Sequence, residues 1–123
     1  MRFIPTWLHG ALDYPLALVL IALPWLGGFA DGGPEMWIPI IAGVLMLVVS
    51  TLTAYEAGIL RVIPMSAHLI ADGVVGVVLA TSPWLFGFAA VVGMPHLILG
   101  LGEFAAALTT HTEPSRRLTH SRV

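Results

Sequence analysis

The chain has 123 residues, of which 58% are hydrophobic and 10% charged, with a mean hydropathy of +0.94 and a net charge of −2. An average soluble domain carries about 25% charged residues, and so small a domain has a high surface-to-volume ratio. The composition excludes an ordinary soluble domain, a disordered chain and a nucleic-acid binder, and it points to a lipid bilayer as the surroundings. There is no Cys, so disulfides and thiolate chemistry are excluded, and every basic residue is Arg.

A membrane span needs about 20 apolar residues, so the chain has room for about four helices and no separate soluble domain. The expected spans are residues 7–29, 36–54, 66–88 and 94–110. Pro5 and Pro64 precede the odd spans, where a missing N–H costs little, and Ser66 is a candidate cap for the third. Ala30-Asp31-Gly32-Gly33-Pro34 breaks the first hairpin, and Val92-Gly93 with Pro95 breaks the second. A cleaved signal peptide over residues 1–30 is disfavoured. Asp13 and Pro15 interrupt its apolar run, and the same pattern recurs at 61–89.

That recurrence organises the whole chain. A shift of 59 positions aligns residues 2–53 with 61–112 without a gap, and 16 of those 52 positions are identical. Arg2 matches Arg61, Ile4-Pro5 matches Ile63-Pro64, His9 matches His68, and Asp13 matches Asp72. Pro24-Trp25-Leu26 matches Pro83-Trp84-Leu85, and Gly28-Phe29-Ala30 matches Gly87-Phe88-Ala89. In the second span of each copy Gly43 falls on Gly102, Thr51 on Thr110 and Val44 on Glu103. Apolar bias does not place Arg, His, Asp and Pro-Trp in register, so a tandem duplication is expected. The predicted fold is an all-α membrane protein. Its four transmembrane helices form two tandem helical hairpins, related by a parallel pseudo-twofold repeat.

Orientation follows from the arginines. Arg2, Arg61, Arg116, Arg117 and Arg122 all fall on one side, which the positive-inside rule makes cytoplasmic. Both termini are thus expected inside a bacterial plasma membrane. Residues 113–123 form a polar cytoplasmic tail of a single membrane domain, with His111 and His120 solvated.

The tripeptide Ser82-Pro83-Trp84, in the first helix of a duplicated two-helix unit, resembles the SPW-repeat family of small bacterial membrane proteins. Leu23 replaces the serine before Pro24-Trp25 in the first copy. The resemblance covers both units and implies an integral membrane protein. It brings no established activity, substrate or cofactor.

The polar residues within the spans are the candidate site. Pro24-Trp25 and Pro83-Trp84 lie near outer span ends, where Trp favours the interface and a neighbouring hydroxyl such as Ser82 can satisfy the carbonyl that Pro frees. His9 and Asp13 are four apart, as are His68 and Asp72, so each pair shares a helix face. The acids lie about 10 Å into their helices, at 1.5 Å per residue. His96, Glu103 and Thr110 share a face of the fourth span, with Glu103 near the midplane. Tyr14, Tyr55 and Glu56 could join the same network.

Three readings of these groups stand side by side. In one, the His-Asp pairs are polar glue in a scaffold or accessory subunit. In another, Asp72 and Glu103 bind a proton or cation in a carrier or channel, with His68 and His9 as an entry relay. In the third, His9, Asp13, His68 and Asp72 are the ligands of a metal such as Zn in a membrane hydrolase or other metal enzyme. No His-Glu-x-x-His motif is present, and the sequence calls for no cofactor. The expected partners are the lipid bilayer and a second copy of the chain or a larger membrane complex. No nucleic acid is expected. Small residues at Gly76-x-x-x-Ala80 and Gly102-x-x-x-Ala106 suggest close helix contacts.

Overall fold

The computed structural model describes residues 1–114. Arg116, Arg117, His120, Arg122 and most of the predicted tail lie outside the described residues. Four helices follow in order: α1 (Thr6–Leu26), α2 (Pro34–Leu52), α3 (Met65–Leu85) and α4 (Met94–Thr109). The first three are long and apolar enough to cross a membrane. With 16 residues α4 is shorter. At 1.5 Å per residue it spans about 24 Å against a hydrocarbon thickness of about 30 Å. Contacts are densest between α1 and α2 and between α3 and α4, with a lesser seam between α2 and α3.

The C-terminal ends of α1 and α3 come earlier than the sequence suggests, and the reason is local. Gly28 and Gly87 have φ of 74° and 75°, a left-handed conformation that glycine adopts without steric cost. The Phe29 N–H donates to the Pro24 carbonyl and the Phe88 N–H to the Pro83 carbonyl, each at 2.8 Å. This is the long bond of a Schellman stop, and it tucks Phe29 and Phe88 inside while Trp25 and Trp84 stay about 60% exposed. Pro83 leaves the Leu79 carbonyl without its helical donor, and Ser82 Oγ donates to that oxygen at 2.7 Å. The Pro-Trp-x-x-Gly-Phe pattern thus encodes a helix end with an outward Trp. Removing the hydroxyl by Ser82→Ala is expected to cost about 1 kcal/mol, readable as a lower unfolding temperature in detergent.

The expected cap at Ser66 does not form. The N-cap of α3 is Pro64, and no side chain caps it. The segments that enter α1 and α3 are tied by backbone instead. Phe3 and Ile4 N–H groups reach the Thr109 carbonyl at 2.7 and 2.9 Å, and Val62 and Ile63 N–H groups reach the Leu52 carbonyl, both at 2.7 Å. The segment entering α1 therefore joins the end of α4, while the segment entering α3 joins the end of α2. Arg2 Nη1 adds bonds to the carbonyls of Ala107 and Thr110 at 2.9 and 2.6 Å.

A close helix contact recurs in the second helix of each hairpin, two residues off the register of the ungapped alignment. A Cβ on Gly43 would come within 2.6 Å of the Ala17 carbonyl oxygen, and one on Gly100 within 2.6 Å of the Gly76 carbonyl oxygen. Ala17 and Gly76 are matched positions, so Gly100 is the counterpart of Gly43. Gly102 faces open space and does not make the close contact expected of it. The offset in these helices is 57 rather than 59 positions, which sets Glu103 against Met46 instead of Val44.

Polarity is distributed inside out. Ile41, Val48, Val74, Ile98 and Leu101 are exposed, whereas His9, Asp13, Ser50, Thr53, His68, Asp72, His96, Glu103 and Thr110 are buried. In lipid the outward apolar surface needs no cover, and ionisable groups turn to the bundle interior. A small apolar cluster of Ala17, Leu20, Ala42, Met46 and Leu79 fills the middle.

Candidate functional site

The i,i+4 spacing brings His9 over Asp13 on α1 and His68 over Asp72 on α3, as the helix repeat dictates. What the helices do next is cross-link. His9 Nε2 lies 3.2 Å from Asp13 Oδ1 and 2.9 Å from Asp72 Oδ2. His68 Nε2 lies 3.0 Å from Asp72 Oδ2 and 3.2 Å from Asp13 Oδ2. Each imidazole therefore bridges a carboxylate of its own helix and one of the other hairpin. The two rings meet edge to face, with centroids 5.4 Å apart.

The far nitrogens are held by two threonines that cap the even helices. His9 Nδ1 is 2.9 Å from Thr110 Oγ1, and His68 Nδ1 is 2.7 Å from Thr53 Oγ1. Each hydroxyl spends its single proton on a carbonyl one turn back: Thr110 on Ala106 at 2.7 Å, Thr53 on Val49 at 2.6 Å. The hydroxyl can then only accept from the ring, so Nδ1 of both histidines carries a proton. Both Nε2 atoms point into the space between the carboxylates. His9 Nε2 makes a hydrogen bond to Asp72. His68 Nε2 is buried without a hydrogen-bond partner of good geometry, despite its two close carboxylate contacts.

Asp13 is further oriented by Tyr55, whose hydroxyl donates to Oδ2 at 2.7 Å, and by Ser50 Oγ at 3.3 Å. Burial, and then the Asp13 charge, hold the Tyr55 phenol well above its ordinary range, so it remains a donor. Tyr55 lies in the α2–α3 connection, which roofs the cluster on its inner side. Tyr14 stays out of the cluster and binds the Ala57 carbonyl at 2.7 Å. Glu56 accepts from Thr6 Oγ1 at 2.7 and 2.8 Å.

The other predicted polar groups sit elsewhere. Glu103 is buried against Gly76, one turn beyond Asp72. Its Oε2 has no hydrogen-bond partner. His96 lies at the outer end, flanked by the rings of Phe29 and Phe88 at 5.4 and 4.8 Å. Its Nε2 donates to the Glu35 carbonyl at 2.9 Å, the oxygen whose helical donor is missing because of Pro39. His96 thus ties α4 to α2 and takes no part in the His-Asp cluster. The sequence did not single out Thr53, Ser50 or the Glu35 carbonyl. An alignment with a two-residue gap would have paired Thr53 with Thr110 and exposed the first.

Two apolar grooves lie on the outer faces. One, of about 550 Å³, runs between α3 and α4 past Gly73 and Phe104. The other, of about 280 Å³, runs between α2 and α3 past Ala42 and Val75. Neither is lined by the four cluster residues.

A family model described as the SPW repeat domain matches residues 6–110. The chain belongs to the SPW repeat family. The match takes in all four helices, the SPW tripeptide of α3, its Leu-Pro-Trp variant in α1 and the whole His-Asp cluster. No curated protein and no solved structure matches the chain. The SPW repeat chain is a multi-pass membrane protein in which the tripeptide lies at the C-terminal end of α3, as its Leu-Pro-Trp variant does in α1, while the most concentrated polar chemistry lies toward the N-terminal ends of those helices.

Proposed function

We propose that this protein is a small non-enzymatic membrane scaffold or accessory subunit, with an internal core of two His-Asp pairs that locks its hairpins together. The observation carrying this reading is that each histidine bridges an aspartate from either hairpin and is held from behind by a threonine of an even helix. Such crossed bonding opposes separation of α1 from α3. Loss of detergent stability on combining Asp13→Asn with Asp72→Asn tests it; unchanged stability would sink it.

On this reading the hairpins are duplicated copies related by a pseudo-twofold axis along the membrane normal. The paired Schellman stops and the paired inner backbone bonds support that. α4 serves as the fourth span, its short length met by local thinning of the bilayer. Arginine on the inner side puts both termini in the cytoplasm of a bacterial cell, which reporter fusions at either end would check.

A second reading, a proton- or cation-coupled carrier using Asp72 and Glu103, is favoured by one observation, the buried and unpartnered Glu103 Oε2. Intramembrane carboxylates often mark ion paths. It predicts that Glu103→Gln abolishes proton flux into proteoliposomes; equal flux in both proteins would remove Glu103 from any such path.

A further inference from the structure

We infer that His9, Asp13, His68 and Asp72 form a binding site for one divalent transition-metal ion of the zinc class. The inference rests on the crossed His-Asp core proposed above and names its ligand. One donor atom from each of the four residues can be chosen so that all lie within 4.8 Å of one another. Each N···O separation, 2.9 to 3.2 Å, is close to an edge of a tetrahedron around zinc, with His9 and His68 meeting different oxygens of Asp13 and the same oxygen of Asp72. Bonds of about 2.0–2.1 Å to nitrogen and oxygen give edges of about 3.3 Å.

Three further features fit a metal better than a simple ion-pair cluster. The first is the orphaned His68 Nε2, more than nine-tenths buried and aimed into the centre. A lone pair directed at an ion is satisfied there, whereas an N–H finds no well-aligned acceptor. The second is the fixed protonation of Nδ1 by Thr53 and Thr110, which in the neutral ring leaves Nε2 free to ligate. Metal-binding histidines characteristically donate their other nitrogen to such a partner. The third is charge: once each Nε2 gives up its proton to ligate, two carboxylates with two neutral imidazoles carry −2, which a divalent cation cancels. Tyr55 and Ser50 orient Asp13 as outer partners orient ligating carboxylates. Two imidazoles with two carboxylates suit zinc or a neighbouring divalent ion better than magnesium or calcium, which prefer all-oxygen shells.

The test uses the full chain in detergent, stripped with chelator and titrated with Co²⁺, then with Zn²⁺. One Co²⁺ per chain, with the visible absorption of a tetrahedral N/O site and displacement by Zn²⁺, is expected. Combining Thr53→Val with Thr110→Val leaves all four ligands in place and should weaken binding by about 10- to 100-fold. His68→Gln should abolish it. Absence of stoichiometric Co²⁺ or Zn²⁺ binding by the wild-type protein overturns the inference, as does binding that His68→Gln and the threonine pair leave unchanged. The wild-type titration needs no variant to fold. A protein that loses stability on Asp13→Asn with Asp72→Asn but binds no metal would keep the structural core and lose the metal.

Discussion

Replacing Asp13 and Asp72 together by asparagine is expected to lower the stability of the detergent-solubilised protein by about 3 kcal/mol or more. A single interhelical hydrogen bond in a membrane contributes only about 0.6 kcal/mol on average, which alone would be hard to see. Four close N···O contacts converge here, all between buried groups. Removing one partner of a buried ion pair costs about 3–5 kcal/mol, because the other charge is left uncompensated. With both acids gone, His9 and His68 lose every anionic partner, and Tyr55 and the two rings must compete for the two amide oxygens that remain while two amide NH2 groups enter the buried cluster. The effect should be cooperative. Either single variant leaves one carboxylate that still touches both rings, so the double variant should lose more than the sum of the singles. Thermal unfolding of the three variants, read as a double-mutant cycle, measures this. Additive small losses would show that the pairs act locally within their own helices.

Gly100→Ala is expected to destabilise the α3–α4 hairpin strongly, and Gly102→Ala to do nothing measurable or to stabilise slightly. The first adds a Cβ within 2.6 Å of the Gly76 carbonyl oxygen, where backbone rather than a flexible side chain stands in the way. The helices must then move apart, and overpacking of this kind typically costs about 1–3 kcal/mol. Gly102 has nothing within 4 Å of an added Cβ, and alanine is the better helix former by about 1 kcal/mol. Equal effects at the two positions would overturn the two-residue offset of α4. Separation of α3 from α4 would also draw Thr110 away from His9, so in Gly100→Ala the inner cluster should loosen with the helix contact.

Much of this was readable from residue order. Sparse charge with dense apolar residues forces helices whose backbone bonds are internal, since lipid offers no partners. The i,i+4 spacing of His9 with Asp13 and of His68 with Asp72 set each pair on one face before any tertiary contact. The same holds for the outer stops, because Pro, Gly and Phe at fixed offsets act within one or two turns. Ser66 was misleading, because a helix entered through an extended Pro64 and tied by the Ile63 N–H to Leu52 does not depend on a hydroxyl cap.

Composition and residue order suffice for the membrane class, four helices in two hairpins and the six buried acids and histidines of the interior. How those groups combine emerges in the packed bundle. It crossed the His-Asp pairs, enlisted Thr53, Thr110 and Tyr55, sent His96 to the Glu35 carbonyl and left Glu103 with an unpartnered oxygen. The physical reason is range. Helix spacing and turn chemistry act over a few residues, so a linear pattern carries them. Which helix faces meet, and in what register, depends on close approaches such as Gly100 on Gly76, between residues 24 positions apart. A shift of two residues there leaves the apolar pattern nearly unchanged, yet it decides whether Thr110 reaches His9.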